Sequence, residues 1–360
     1  MKKIAFYIDS MGLGGANRVM SNLVSYFYDN GYDVCLINDV SMTEKEEYPL
    51  PKGIKRYIIH NEGKHHFFLS KQLKRLKAIR RILKENETEV VVSFMGPPNI
   101  RILLGTLGMK VKKVVSVRND PYKEYGAGIK RFLARIIFCL ADGCVFQTEE
   151  AMDYFPKKVK KRSKIILNPI KEVFYQTEYS DTNSGIVSVG RLFPQKNHEL
   201  LIRAFARIAD SYPNENLYIY GEGSLRKELQ DLIVKFELQN RAFLPGSVMD
   251  VNVKLSQAKI FVLSSDYEGM PNALLEAMAV GVPIISTDCP CGGPRTVIEN
   301  ENQGLLVQVG DVEKMADALE KLLNDSYLRK QMSVAEKERA KDFRNDAIMP
   351  QWEQYLTSRQ

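Results

Sequence analysis

The residues best suited to chemistry are gathered in the second half of the chain. A β-branched run, Ile186 to Val189, ends in Gly190-Arg191-Leu-Phe-Pro-Gln-Lys196-Asn197, so two cations emerge five residues apart across a proline-containing turn. Such a pair suits a diphosphate: arginine offers a planar fork, lysine a mobile point charge. Asn197 is suited to cap the helix that follows. Farther on, Glu268-Gly269-Met270-Pro271-Asn272 precedes an apolar run that carries one acid, Glu276. Pro271 fits a first helical turn, whose free amides attract anions. A carboxylate at Glu276 is costly among apolar neighbours unless it accepts hydrogen bonds, and vicinal ribose hydroxyls would supply them. Glu268, at the mouth of the turn, could hold the hydroxyls of a second ring. The bland alternative is a solvated loop with a buried capping acid.

A weaker signal opens the chain. Asp9-Ser-Met-Gly12-Leu-Gly14-Gly15-Ala-Asn17-Arg18 reads as a glycine-rich turn leading into a helix, able to receive an anion or a sugar. It begins like a dinucleotide fingerprint, but Asn17 stands where the third glycine belongs, which opposes a dehydrogenase. Cys289-Pro-Cys291 has the wrong spacing for a zinc or redox pair and lacks a second Cys/His pair beside it. The five cysteines are scattered and odd in number, which fits the cytoplasm.

These residues need strand ends to carry them. In both halves short β-branched runs alternate with amphipathic helical patterns, which implies parallel, doubly wound sheets. The alternation restarts at Gly185, after a polar, aperiodic stretch from Tyr175 to Ser184. At 360 residues the chain exceeds one ordinary core. We therefore expect an α/β protein of two Rossmann-like domains facing a central cleft, with ligands at the carboxyl ends of both sheets. The expected limits are residues 1–171, residues 172–342, and a helix over residues 343–360 that packs back on the first domain. Composition, at 44% apolar and 26% charged residues, excludes disorder, coiled coil and collagen. No apolar run approaches the roughly 20 residues of a membrane span.

Taken together, Gly14-Gly-Ala-Asn-Arg18, Gly190-Arg191 with Lys196-Asn197, Tyr220-Gly-Glu-Gly223 with Leu229, Leu244-Pro-Gly246, Glu268-Gly-x-Pro-x4-Glu276 and Gly281-x-Pro283 resemble the retaining GT-B glycosyltransferases of family four, over nearly the whole chain. The resemblance implies a nucleotide-sugar donor, a UDP-sugar by analogy, held mainly by the second domain. Arg191 and Lys196 would clamp the diphosphate, Glu276 the ribose and Glu268 the transferred sugar. Gly190, Gly221, Gly223 and Leu244 would border the nucleotide, and the amides of Gly269, Met270, Pro271 and Asn272, with Gly14 and Gly15, would complete the surroundings. The reaction it implies retains anomeric configuration and needs no enzymic nucleophile. The absence of Asp-x-Asp from the sequence adds the expectation of no metal and no cofactor.

Departures from the family pattern touch the sugar. Asn17 replaces a common glutamate, and Arg118 or Asn119 replaces a histidine at a first-domain strand end. Arg295, in a segment that resembles transferases of bacterial surface polysaccharides, is a further candidate cation.

The first 180 residues hold 31 Lys+Arg against 19 Asp+Glu. Between Lys64 and Lys84 lie eight of these cations and no acid, with Leu69, Leu73, Leu76, Ile79 and Leu83 at helical spacing. This basic amphipathic pattern suits the anionic inner face of a membrane, beside a polyprenyl-linked glycan acceptor, or else a stripe packed on its own sheet. The chain is thus expected in the cytoplasm, peripheral on the inner face of the cell membrane. A nucleic-acid partner is excluded, because no recognition signature accompanies the charge. A nucleotide-sugar epimerase and a non-catalytic donor-binding subunit stand as alternatives.

Overall fold

The computed structural model describes residues 2–12, 14–43, 47–59, 68–180 and 185–358. The leading part of the basic stretch, residues 64–67, and residues 181–184 of the polar stretch lie outside them, as do residues 359–360. The chain divides into two units, Met1–Asn168 with Ile348–Gln360, and Pro169–Ala347.

The first unit carries strands β1 (Lys3–Ile8), β2 (Asp33–Asn38), β3 (Lys55–Ile58), β4 (Val90–Phe94), β5 (Lys112–Ser116), β6 (Gly143–Phe146) and β7 (Ser163–Ile165). They form one parallel sheet in the order β3-β2-β1-β4-β5-β6-β7. Neighbouring residues of a strand point to opposite faces, and both faces of the inner strands are covered, so their centres are mostly apolar, whereas the edge strands β3 and β7 carry Lys55, Arg56, Ser163 and Lys164. Ile4, Phe6 and Ile8 join Val19, Leu23 and Phe27 of the helix Gly15–Asp29 in one core. Ala5 and Tyr7 join Ile79, Ile82 and Leu83 of the helix Phe68–Glu85 in another. The apolar stripe of the basic helix is therefore packed on its own sheet over its second half, while Leu73 is exposed.

The helix Asn345–Thr357 contributes Ile348, Met349, Trp352, Tyr355 and Leu356 to the first core. Trp352 is fully buried with its ring 5.7 Å from that of Phe94. Among the described residues no helix is long and apolar enough to cross a membrane.

The second unit carries β8 (Ile186–Val189), β9 (Leu217–Tyr220), β10 (Ala242–Gly246), β11 (Ile260–Leu263), β12 (Ile284–Thr287) and β13 (Leu305–Val307), in the parallel order β10-β9-β8-β11-β12-β13. The helix His198–Ile208 buries Leu201, Ile202 and Phe205 against Ile186, Ile219 and Ile260. Asn197 starts that helix, its side chain accepting the amide of Leu200 at 3.1 Å.

Trp352→Ala should cost the chain about 3 to 5 kcal/mol, because the cavity left under Phe94 has no side chain to refill it. Trp352→Phe should cost clearly less, since the ring contact survives and the indole N–H, which has no hydrogen-bond partner, is lost. Denaturant midpoints of the two variants check this, and equal losses would contradict it.

Candidate functional site

In the second sheet the chain winds outward through β9 and β10, then returns to lay β11 on the other side of β8. Ile260 pairs with Ile186 and Phe261 with Val187. Loops leaving two such neighbours diverge, and a crevice opens where they part. The β8 loop bears Gly190 to Asn197 and the β11 loop bears Ser264 to Pro271. Their meeting is the centre of the site.

Lys196 Nζ donates to Glu268 Oε1 at 2.5 Å. Ser265 Oγ donates to the same oxygen at 2.7 Å, and Gln195 Nε2 to Glu268 Oε2 at 3.3 Å. Three donors thus fix one carboxylate that is itself buried. The loops are laced by four further bonds: Asn197 Nδ2 to Asp266 Oδ1 at 2.7 Å, the Asp266 amide to the Gln195 carbonyl at 2.9 Å, Ser264 Oγ to the Lys196 carbonyl at 2.9 Å, and Gln195 Nε2 to the Tyr267 carbonyl at 2.9 Å. Asn197 meets both its obligations by taking a left-handed backbone, with φ of 40°.

Arg191 stands apart from the pair, exposed, with its guanidinium 5.2 Å over the ring of Phe193. Glu276 lies buried in the helix Asn272–Val280, which begins after Pro271. Gly269, Met270 and Pro271 are buried at the helix start, and Asn272 is half-buried. A side chain at Gly293 would place its Cβ 1.6 Å from the Gly269 carbonyl, so only glycine lets the following short helix, Gly293–Val297, lie against this turn. Arg295, on that helix, pairs with Asp288 at 2.7 Å.

The β9 and β10 ends close the other side. Gly190 donates to the Tyr220 carbonyl at 2.9 Å, Leu192 to that of Glu222 at 2.9 Å, and Gly221 to that of Gly246 at 2.9 Å. Gly221 has φ of 152°, and a Cβ there would lie 1.9 Å from the Gly190 carbonyl. Gly223 lies against Leu192, and Leu244 is buried in β10, its carbonyl accepting from Arg226.

His198, beside Lys196 and Asn197, is buried against the backbone of Gly190 and Arg191. Burial, and then the charge of Lys196, push its pKa from 6.5 down to about 4. Sequence reasoning passed over His198, Gln195, Ser265 and Gly293. The available signals were a histidine opening an apolar helix and two serines directly ahead of an acidic turn.

In the first unit, Asn17 folds back to donate to the Gly12 carbonyl at 2.7 Å, and Gly14 precedes the helix that Gly15 begins. Arg101 fixes Asp9, at the start of that turn, at 2.7 Å and donates to Tyr7 at 3.1 Å. Arg118 is buried over the ring of Phe94 at 4.6 Å, and burial brings its pKa down to about 9. It donates to Asn168 and, at 3.4 Å, to Ser116, with no carboxylate partner among the described residues. Asn119 accepts the Asp120 amide at 2.9 Å. Nearby Glu124, also unanticipated, accepts the Gly96 amide at 2.6 Å through Oε1, while Oε2 has no partner. Burial raises its pKa to about 7. Among the described residues, no three or more His, Cys, Asp or Glu side chains are gathered as a metal would require.

Residues 170–339 match the family model described as Glycosyl transferases group 1. The second unit is thus a group 1 glycosyl transferase domain. Among relatives of this transferase, an uncharacterized glycosyltransferase of Methanocaldococcus jannaschii is 29% identical over 83% of this chain and 87% of its own. GalNAc-α-(1→4)-GalNAc-α-(1→3)-diNAcBac-PP-undecaprenol α-1,4-N-acetyl-D-galactosaminyltransferase of Campylobacter jejuni is 28% identical over 98% of this chain and 97% of its own. Anabaena HepE, solved in complex with UDP-glucose, superposes with a TM-score of 0.85 at 17% identity, covering 100% of both chains. The likeness shows the transferase's fold: GT-B, built from two Rossmann-like α/β units.

The lowered pKa of His198 has a consequence for stability. Between pH 6.5 and about 4 the unfolded chain takes up a proton at this ring that the folded chain refuses, so the contribution is intact above pH 6.5 and is lost as pH falls. His198→Asn should shrink the loss of stability between pH 7 and pH 4 by about 3 kcal/mol relative to the parent. Denaturant titrations across that range read it out, and parallel pH profiles would contradict it.

Proposed function

We propose that the transferase moves a hexose or N-acetylhexosamine, with retention of anomeric configuration, from a UDP-sugar to a polyprenyl-diphosphate-linked or surface-polysaccharide acceptor at the inner face of the membrane, and that it needs no metal or cofactor. The observation that carries the reading is the Lys196–Glu268 pair at the joined ends of β8 and β11, directly ahead of the start of the helix Asn272–Val280. A cation and preset amides suit a diphosphate, and a fixed, acceptor-only carboxylate suits sugar hydroxyls.

In the reaction proposed, the bond between the anomeric carbon and the β-phosphate oxygen breaks, its electron pair leaving with the phosphate. The acceptor hydroxyl bonds to that carbon on the same face, and its proton passes to the departing phosphate. Negative charge grows on the β-phosphate as the bond breaks. Lys196, Arg191 and the amides of Gly269 to Asn272 therefore hold the transition state more tightly than the bound donor. Glu276 takes the ribose and Glu268 the sugar in transit, while Gly221, Gly223 and Leu244 border the nucleotide. In the first unit, Gly14, Gly15, Asn17, Arg118 and Asn119 are the candidates to meet sugar or acceptor.

Two relatives support the choice of substrates. The Campylobacter enzyme is named for an undecaprenyl-diphosphate-linked glycan, and HepE was solved with UDP-glucose.

Lys196→Ala should lower kcat by about 100- to 1,000-fold while the protein remains folded, the loss typical of one donor aimed at developing charge. Glu276→Ala should abolish transfer, and both parent rates and product anomer should be unchanged in EDTA. Radiolabelled sugar transfer to a polyprenyl-diphosphate glycan checks all three. Donor isomerisation without transfer, or an EDTA-sensitive rate, would overturn the corresponding part of the reading.

A further inference from the structure

The helix Gly128–Phe138 turns outward the side chains that a surface helix ordinarily buries. Ile129, Phe132, Leu133 and Ile136 are between 51% and 76% exposed, and Leu140 is exposed beyond them. Counted from Ile129 they recur at i, i+3, i+4, i+7 and i+11, a single helical face. Ala134 and Phe138 are the residues of this helix that enter the core. The contrast with Phe68–Glu85 is sharp, because there Ile79, Ile82 and Leu83 are buried.

Charge tells what this face fits. From Tyr125 to Ala141 there is no acid, and Lys130, Arg131 and Arg135 interleave with the apolar stripe. Lys130 is exposed, Arg135 half-buried, and Arg131 is held 5.1 Å over Tyr122 and 4.9 Å over Tyr154. At the carboxyl end, Arg162 donates to the Cys139 carbonyl at 3.2 Å. That bond brings the basic segment of residues 157–162, with Lys157, Lys158 and Lys161 exposed, to the end of the stripe. The acids closest in sequence are engaged or separate: Glu124 accepts the Gly96 amide, Asp120 caps the turn at Tyr122, Asp142 pairs with Lys113, Asp153 with Lys160, and Glu149 and Glu150 begin the helix Glu149–Asp153. An apolar groove on a protein would bury the stripe, but the cations would need acids set at its rim to meet them. An anionic bilayer accepts both, apolar side chains entering the acyl boundary while Lys and Arg meet phosphates.

We propose that Gly128–Phe138, continued by Leu140 and supported by the 157–162 segment, docks the transferase on an anionic lipid bilayer. The inference rests on the reading of a lipid-linked acceptor and deepens it by naming the surface that meets the lipid. It moves the contact from the basic stretch after Lys64 to a helix whose apolar face is uncovered.

The full chain should float with vesicles of phosphatidylglycerol and phosphatidylcholine in equal parts and bind phosphatidylcholine vesicles weakly. Phe132→Glu with Ile136→Glu should weaken binding to the anionic vesicles at least about tenfold, and Lys130→Glu with Lys158→Glu should reduce it to the level seen with phosphatidylcholine. All four positions are exposed, so the melting temperature and the shift given by UDP should match the parent. Anionic-vesicle binding that survives Phe132→Glu with Ile136→Glu, or a parent chain that does not bind those vesicles, overturns the proposal. Failure of UDP to shift the melting temperature of the parent would instead strike the donor reading and leave the vesicle result standing.

Discussion

The parallel pairing of β8 with β11 is the constraint on which the site depends. A sheet wound in both directions from one strand must leave two adjacent loops that part from each other at their carboxyl ends. Every polar group that meets at the centre is carried by one of those loops. Lys196, Gln195 and Asn197 come from the first, and Ser264, Ser265, Asp266 and Glu268 from the second. The Asp266 amide bond to the Gln195 carbonyl, with side-chain bonds to the Lys196 and Tyr267 carbonyls, ties this geometry to the backbone of the two loops.

Bringing a lysine and a glutamate out of water is costly, and a partly buried pair holds only where its remaining hydrogen-bonding capacity is met. Glu268 satisfies that condition with three donors. The arrangement fixes the ammonium beside a single carboxylate, and a more highly charged anion would draw it more strongly than Glu268 does. His198 fits the same electrostatics: burial and the neighbouring ammonium both disfavour its protonation, so no second charge competes beside Lys196. Close backbone approach at Gly221 and Gly293 compacts the surrounding turns to a degree that no side chain would allow.

Much of this was legible in the sequence, for definite reasons. Runs such as Val90 to Phe94 and Ile260 to Leu263 are apolar without alternation, as strands covered on both faces must be, and their interleaving with helical patterns gave the two parallel sheets. Glycine, arginine, lysine and glutamate at fixed offsets from strand ends marked the second unit's loops. What escaped notice depends on tertiary neighbours. Nothing in the local sequence says that Gln195 and Ser265 share one carboxylate, or that Glu124 reaches the Gly96 amide. The two basic amphipathic helices have similar patterns, yet one buries the second half of its stripe and the other exposes its stripe. Periodicity reports that a helix has an apolar face and does not report what covers it.

The most direct measurement is the structure of the full chain crystallised with UDP. The account predicts the β-phosphate within hydrogen-bond distance of Lys196 Nζ and of amides at the start of the helix Asn272–Val280, with the ribose hydroxyls on Glu276. A diphosphate bound elsewhere on the chain, with Lys196 still wholly engaged by Glu268 and Glu276 distant from the ribose, would contradict it.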